Sequence, residues 1–168
     1  MSKSALVLAV PHQIQNPRTL GHIPDQSYRL LLEDLITKRA VNFVFEEVGG
    51  LSPTIAQTVA ESLLGQGHYM DVDPSPGERP QFGIAEITGG QVWFEDEFGN
   101  PSNHYEFGIV GEQKKREELW TKRVAAQPFE NGLAICGLCH GLSFAFRLES
   151  AGIAVAESLS YIPFRKMR

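Results

Sequence analysis

Residues 134–141, Ala-Ile-Cys-Gly-Leu-Cys-His-Gly, are compatible with three kinds of chemistry. Cys136 and Cys139 followed by His140 spell Cys-x-x-Cys-His, the attachment pattern of covalent haem. The two cysteines alone are typical of a redox pair or of half a zinc site. Gly137 and His140 form a Gly-x-x-His pattern, which places an imidazole directly after a buried strand. The remainder of the chain decides among these interpretations.

The context of Cys136 and Cys139 favours the third interpretation. The chain has only these two cysteines, whereas a structural zinc site needs two more Cys or His ligands at a matching short spacing. A thioredoxin-like pair opens a helix near an N-terminal βαβ unit, but Cys136 ends an apolar run near the C-terminus. Covalent haem requires export, while two cysteines without an export signal indicate a reducing cytosol. We therefore expect two small apolar residues, no covalent haem and a cytoplasmic protein.

Two other apolar runs also end in reactive side chains. Residues 5–10 are followed by His12, and residues 41–45 are followed by Glu46 and Glu47. Continuous apolar runs of this length are typical of strands buried on both faces of a parallel sheet. Ligands of such sheets bind at the carboxyl ends of the strands. We therefore predict one site at that edge, built from these side chains and the imidazole of the Gly-x-x-His pattern.

Two imidazoles and a carboxylate can activate water in two ways. His12, Glu46 and His140 can ligate a divalent metal such as manganese, zinc or cobalt. Without a metal, a glutamate can act as base and a histidine as acid, provided that burial tunes their pKa values toward neutrality. Glu47 competes with Glu46 for the same role, because only one of them joins the site if they point to opposite faces. The sequence leaves open whether a metal takes part and which of the two glutamates joins the site.

Helical periodicity between the apolar runs predicts the rest of the fold. We expect Ser27 to cap the first long helix, Ser52 to cap the second with proline at its first position, and Gly152 to cap the last. The alternation of strands and helices indicates a single α/β domain over residues 1–168, with a mostly parallel sheet of about five strands flanked by helices. The predicted helices cover residues 28–39, 53–64, 112–126 and 142–150, and further strands cover 69–73, 132–136 and 153–156.

The segment 81–111 shows no clear periodicity apart from a short strand predicted at Val92–Phe94. Long irregular segments in compact domains often carry function or cover a site. Asp71, Asp73, Glu78 and Arg79 lie around the proline-rich loop 74–80, and residues of this kind mostly solvate a loop. In a strand, however, Asp71 and Asp73 would point the same way and could add a ligand to the site.

Composition limits the classes of partner. The 168 residues are 42% hydrophobic and 21% charged, with a net charge of -5, which is ordinary for a globular domain. The negative charge disfavours nucleic acid, since phosphate binding needs a basic surface. No apolar run approaches the roughly 20 residues that span a bilayer. We make no prediction of oligomeric state.

The order of these motifs resembles the TraB/Tiki superfamily, which includes the erythromycin-esterase-like and ChaN-like proteins. That group has two Gly-x-x-His motifs, and each motif follows a strand. Between the two motifs lies a glutamate, which comes directly after the second strand. Residues 137–140 match the second motif. The first is Ala9-Val10-Pro11-His12, with alanine where the family usually has glycine. The glutamate is Glu46 or Glu47.

The resemblance implies hydrolysis of an ester or peptide-like bond, and therefore a small-molecule or peptide substrate. It also implies an arginine on the helix before the second histidine motif, which Arg116 matches best and Arg123 second best. Such an arginine can hold a carboxylate or phosphate of a substrate, although a solvated helix face explains it equally well. The chain is shorter than typical members. Two other functions remain open: a binder of iron, haem or another small ligand through the same residues, and a protein that acts through partner contacts.

Overall fold

The sheet of this protein has five parallel strands in the order β3-β2-β4-β1-β5. The computed structural model describes residues 2–17, 25–84 and 103–163, with the backbone alone for 103–112. The predicted α/β class with a parallel sheet flanked by helices is confirmed. The strands are β1 Ser4–Val10, β2 Phe43–Glu46, β3 Tyr69–Asp71, β4 Asn131–Gly137 and β5 Ala154–Ser160.

Helices cover both faces of the sheet. Alternate strand residues point to opposite faces, so Val7 and Phe45 pack with Trp120 on one face, while Leu8 and Val44 pack with residues of the other helices. The first face carries α4 and α5, and the second carries α2 and α3. The helices are α1 His12–Gln15, α2 Gln26–Lys38, α3 Ile55–Leu64, α4 Asn103–Ala126 and α5 Gly141–Ser150, and a 3-10 helix covers Arg79–Phe82.

The strand register brings the three predicted strand ends to one edge. Val10 at the end of β1 lies beside Gly137 at the end of β4, and Glu46 at the end of β2 lies beside Ile135. Since β1 and β2 both pair with β4, the residues that follow these strands emerge as neighbours. The parallel topology therefore assembles the site from segments far apart in sequence.

Two predicted helix caps were wrong by two residues each. The side chain of Asp25, not Ser27, accepts the hydrogen bond that begins α2, from the N–H of Ser27. The side chain of Thr54, not Ser52, accepts the bond that begins α3, from the N–H of Gln57. Each true cap offers an oxygen to a free N–H of the first turn, which Ser, Thr and Asp do about equally well. Residue type alone therefore did not select between neighbouring candidates.

The ends of the last elements also differ from prediction. The C-cap of α5 is Ala151, and Gly152 follows it with φ +80°, a left-handed conformation that glycine adopts readily. β5 reaches Ser160, and its residues alternate between exposed and partly buried along an edge strand. α4 begins nine residues before the predicted start of residue 112. The strand predicted at Val92–Phe94 lies outside the described residues. No described helix is long and apolar enough to cross a membrane.

Candidate functional site

The carboxylate of Glu47 is the centre of the candidate site. Its side chain is 2% exposed. Glu47 follows β2 directly, and its backbone N–H extends the pairing of β2 with β4 by donating to the carbonyl of Ile135. Its Oε2 accepts a 2.7 Å hydrogen bond from the N–H of Gly137, and its Oε1 accepts one of 2.7 Å from Nη2 of Arg116. A buried carboxylate needs such partners to remain charged. Glu47 is thus fixed by a backbone donor and a guanidinium.

Two imidazoles approach the same oxygen of Glu47. Nε2 of His12 lies 3.7 Å from Oε1, and Nε2 of His140 lies 3.6 Å from it. Among the residues predicted for the site, the structure therefore brings together His12, Glu47, Arg116 and His140. The two histidines come from the ends of β1 and β4, as the motif spacing indicates.

Glu46 lies on the opposite face of the sheet. It follows the alternation of β2, so it points with Val44 toward α3, and Glu47 points with Phe45 toward α4. Its Oε2 accepts hydrogen bonds from the hydroxyls of Thr54 at 2.5 Å and Tyr69 at 2.8 Å. The predicted metal set of His12, Glu46 and His140 is therefore not assembled. Residue order within the strand end decides between the two glutamates.

Burial changes the protonation of Glu46. It raises the pKa of this carboxyl to about 8, although the hydrogen bonds from Thr54 and Tyr69 oppose the shift, and the charge of Asp71 adds to it. Burial disfavours the charged form of any carboxyl. Glu46 thus titrates near neutral pH while remaining out of direct contact with the cavity.

His12 is the more accessible of the two imidazoles, with half of its side chain exposed. Its Nδ1 lies 2.6 Å from Oε1 of Gln15 at the other end of α1. Its Nε2 lies over Gly137, where a Cβ atom would be only 2.6 Å away. Gly137 therefore provides the space in which this ring sits.

His140 is buried behind Glu47, and its charge is compensated. Nδ1 donates a 2.8 Å hydrogen bond to Oε1 of Glu117, whose Oε2 accepts one of 2.9 Å from Nε of Arg147. Burial lowers the pKa of His140, but contacts with Cys139 and Glu117 and the charge of Glu47 outweigh it and raise that pKa to about 10. His140 is thus an imidazolium at neutral pH, held between two carboxylates.

Arg116, rather than Arg123, is the arginine of the site. Its Nε donates a 2.9 Å hydrogen bond to Oδ1 of Asp73, and its Nη2 binds Glu47. Asp73 also accepts from Nη2 of Arg79 at 3.2 Å. Arg123 instead donates to Glu78 and to a backbone carbonyl. A two-point contact between a guanidinium and two carboxylates fixes the orientation of all three groups.

A cavity of about 220 Å³ opens at this edge of the sheet. This is below the range of pockets for drug-sized ligands, roughly 300–1,000 Å³, so it has room only for a small molecule or for one end of a larger one. The cavity is lined by His12, Gln15, Asn16, Glu47, Val48, Leu51, Asp73, Arg79 and Arg116.

Two basic side chains, those of Arg116 and His140, lie beside the carboxylate of Glu47. Among the described residues, no group of three or more His, Cys, Asp and Glu side chains is placed to hold a metal ion. The guanidinium of Arg116 occupies the Glu47 oxygen that both imidazoles approach. His140 as an imidazolium has no free lone pair to ligate a metal. A divalent ion would have to displace one cation and deprotonate the other.

The two cysteines occupy different environments. Cys136 is buried within β4, and Cys139 is exposed in the turn before α5. Burial raises the pKa of the Cys136 thiol, which suits the predicted role of a small apolar residue.

Three residues of the site were not predicted for it, Gln15, Arg79 and Glu117, and Asp73 was predicted only as a weaker candidate. Gln15 lies three residues after His12, a spacing that places two side chains on one face of a helical turn. Glu117 follows Arg116 directly in α4, so the two side chains leave the helix on adjacent sides. Asp73 and Arg79 lie beside the proline-rich loop, and only the tertiary structure brings that loop against α4.

The chain matches no protein-family model, no curated protein and no solved structure at significant similarity. The resemblance to the TraB/Tiki superfamily therefore stays a prediction.

Proposed function

We propose that this protein is a metal-free hydrolase that activates water with His12 and Glu47 and cleaves an ester or peptide-like bond. The observation that carries the proposal is the convergence of His12 Nε2 on Oε1 of Glu47 at the wall of a cavity. The class of bond follows from the resemblance in motif order. The cavity volume favours a small substrate or a short terminal group.

His12 supplies the base in this proposal. Its Nδ1 faces an amide oxygen, which accepts hydrogen bonds and cannot donate one. Nδ1 therefore carries the proton in the neutral ring, and the lone pair of Nε2 is free to take a proton from water. A water molecule at ordinary hydrogen-bond distances of about 2.8 Å can reach both Nε2 and Oε1 of Glu47 at once.

The cationic groups hold the carboxylate and stabilise negative charge. His140 and Arg116 lie on two sides of Glu47, so they hold its carboxylate in a fixed orientation. Arg79 and Arg116 line the cavity and bind Asp73 through Nη2 and Nε. We assign their Nη1 groups to the oxygen that gains charge when water attacks a carbonyl.

Turnover of small esters tests this function. We would compare kcat/KM for a series of p-nitrophenyl esters and short peptides in the wild type and in His12→Gln. Loss of a general base lowers the rate about 10²–10⁴-fold. His68→Gln is the matched control. His68 lies directly before β3, at the amino ends of the strands, whereas the site lies at their carboxyl ends. An equal loss in both variants, or no turnover of any substrate, would remove the support for a hydrolase.

A ligand binder is the second candidate function, and one observation favours it. The spacings of 3.6 and 3.7 Å from Glu47 Oε1 to the two Nε2 atoms are close to the separation of neighbouring ligands on a metal with bonds of about 2.1 Å. Titration calorimetry with zinc, iron and haemin would show stoichiometric binding that is lost in a His12→Ala/His140→Ala variant.

A further inference from the structure

We infer that Gln15 is a positioning residue that holds His12 in the tautomer protonated at Nδ1. It does so by bridging the imidazole to the buried carboxyl of Glu46 on the other face of the sheet. The consequence for turnover rests on the proposed function, whereas the tautomer itself does not.

The amide of Gln15 contacts one group at each end. Its Oε1 lies 2.6 Å from Nδ1 of His12, and its Nε2 donates a 3.5 Å hydrogen bond to Oε1 of Glu46. Gln15 is 3% exposed, so water cannot freely replace either contact. Two fixed contacts determine which way the amide is turned.

Glu46 decides the orientation of that amide. The amino group of Gln15 faces Glu46, and above the pKa of Glu46, about 8, the ionised carboxyl can only accept hydrogen bonds and so requires this orientation. Thr54 and Tyr69 both donate to the other oxygen, Oε2, and leave Oε1 to Gln15. The carbonyl oxygen of Gln15 therefore faces His12 and requires a proton on Nδ1.

The local fold keeps these groups in reach of one another. α1 is a single turn in which residues three apart share a face, so Gln15 lies under the ring of His12. Ile14 between them is fully buried and anchors the turn against the core. An unconstrained imidazole prefers the tautomer protonated at Nε2, which would leave no lone pair toward the cavity.

Nitrogen-15 spectroscopy of the histidine rings tests the tautomer directly. We would record ring correlations at about pH 9, above the pKa of Glu46 and of a free imidazole, and assign His12 by its loss in His12→Gln. In the wild type we expect Nε2 as the unprotonated nitrogen. In Gln15→Met, which has similar length and no acceptor, we expect the Nε2-protonated form to dominate. The double variant Gln15→Glu/Glu46→Gln keeps an acceptor toward His12 without placing two carboxylates together, and should keep the wild-type tautomer.

Gln13→Met is the matched control, because Gln13 lies on the same turn and is exposed. It should leave the spectrum unchanged. Protonation of His12 at Nε2 in the wild type, or an unchanged tautomer in Gln15→Met, would overturn the inference. The wild-type spectrum decides even if the Gln15 variants do not fold.

Kinetics separate this inference from the proposed function. We expect Gln15→Met to lower kcat about tenfold with little change in KM, because the base must first change tautomer. If the tautomer changes in Gln15→Met but the wild type turns over no ester or peptide, the inference about Gln15 holds and the hydrolase proposal fails.

Discussion

A Cβ atom on Gly137 would lie 2.6 Å from Nε2 of His12 and 3.0 Å from its Cε1. Gly137 also donates its N–H to Glu47. One residue at the end of β4 therefore both fixes the carboxylate and leaves room for the imidazole. This gives a physical reason for the glycine of the Gly-x-x-His pattern in this chain.

Replacing Gly137 by alanine should displace His12 without unfolding the protein. The added methyl would contact the end of a half-exposed side chain that can swing into solvent. We expect kcat/KM to fall by about 10²-fold, close to the effect of losing the base, and the melting temperature to change little. Gly77→Ala is the control, since a Cβ there meets no atom within 4 Å. Unchanged turnover in Gly137→Ala would contradict a role for His12 at this position.

The burial of Glu46 should make stability fall as pH rises. Its pKa of about 8 in the folded protein exceeds its value in an unfolded chain, about 4.3, so unfolding releases a proton between these values. Stability is highest below about pH 4.3 for this group and decreases up to about pH 8, by a few kcal/mol in total. Glu46→Gln, which mimics the protonated form, should lack this dependence.

Urea denaturation of the wild type and Glu46→Gln from about pH 5 to 6.5 provides the measurement. Both proteins contain His140, so its titration cancels in the difference between their free energies of unfolding. The free energies of unfolding should diverge steadily with pH. Parallel curves would show that Glu46 does not bind a proton in the folded state.

The contact of Glu117 with His140 should stabilise both the imidazolium form of His140 and the folded protein. The pKa of His140 is raised to about 10, so its contribution to stability is complete below about pH 6.5 and is lost as pH rises toward 10. We expect Glu117→Gln to lower that pKa by about 1–3. Breaking this buried pair should cost roughly 3 kcal/mol.

Glu118→Gln is the control for Glu117→Gln, because Glu118 also contacts Arg147 but is largely exposed. Proton NMR titration of the imidazole and thermal unfolding give the two measurements. The same titration midpoint for His140 in both variants would refute the assigned role of Glu117.

Metal content should distinguish metal-free activation of water from activation by a bound metal. In the metal-free arrangement, elemental analysis finds far less than one metal per chain in the wild type and in His12→Ala/His140→Ala, and chelators leave turnover unchanged. Near-stoichiometric manganese, zinc or cobalt in the wild type, lost in the double variant, would instead establish the metal form. Stoichiometric iron would favour the binder.

The amino-acid pattern alone was sufficient to predict the parallel α/β fold and the edge at which the candidate site lies. The apolar runs that became β1, β2 and β4 are long enough to be buried on both faces, and the polar residues after them must emerge where the strands end. His12, Glu47 and His140 were therefore all among the predicted residues, whereas Arg116 was predicted from the resemblance in motif order. Such local periodicity depends on neighbours in sequence, so one chain is enough to see it.

Tertiary structure decided what each of these groups contacts. Only the packed sheet shows that Glu47 and not Glu46 faces His140, because one residue of register reverses the face. It also brings Asp73, Arg79 and Glu117 to the site, and turns Gln15 between His12 and Glu46. These contacts join segments as far apart in sequence as Glu47 and His140, and their partners and charges depend on packing that no local pattern records.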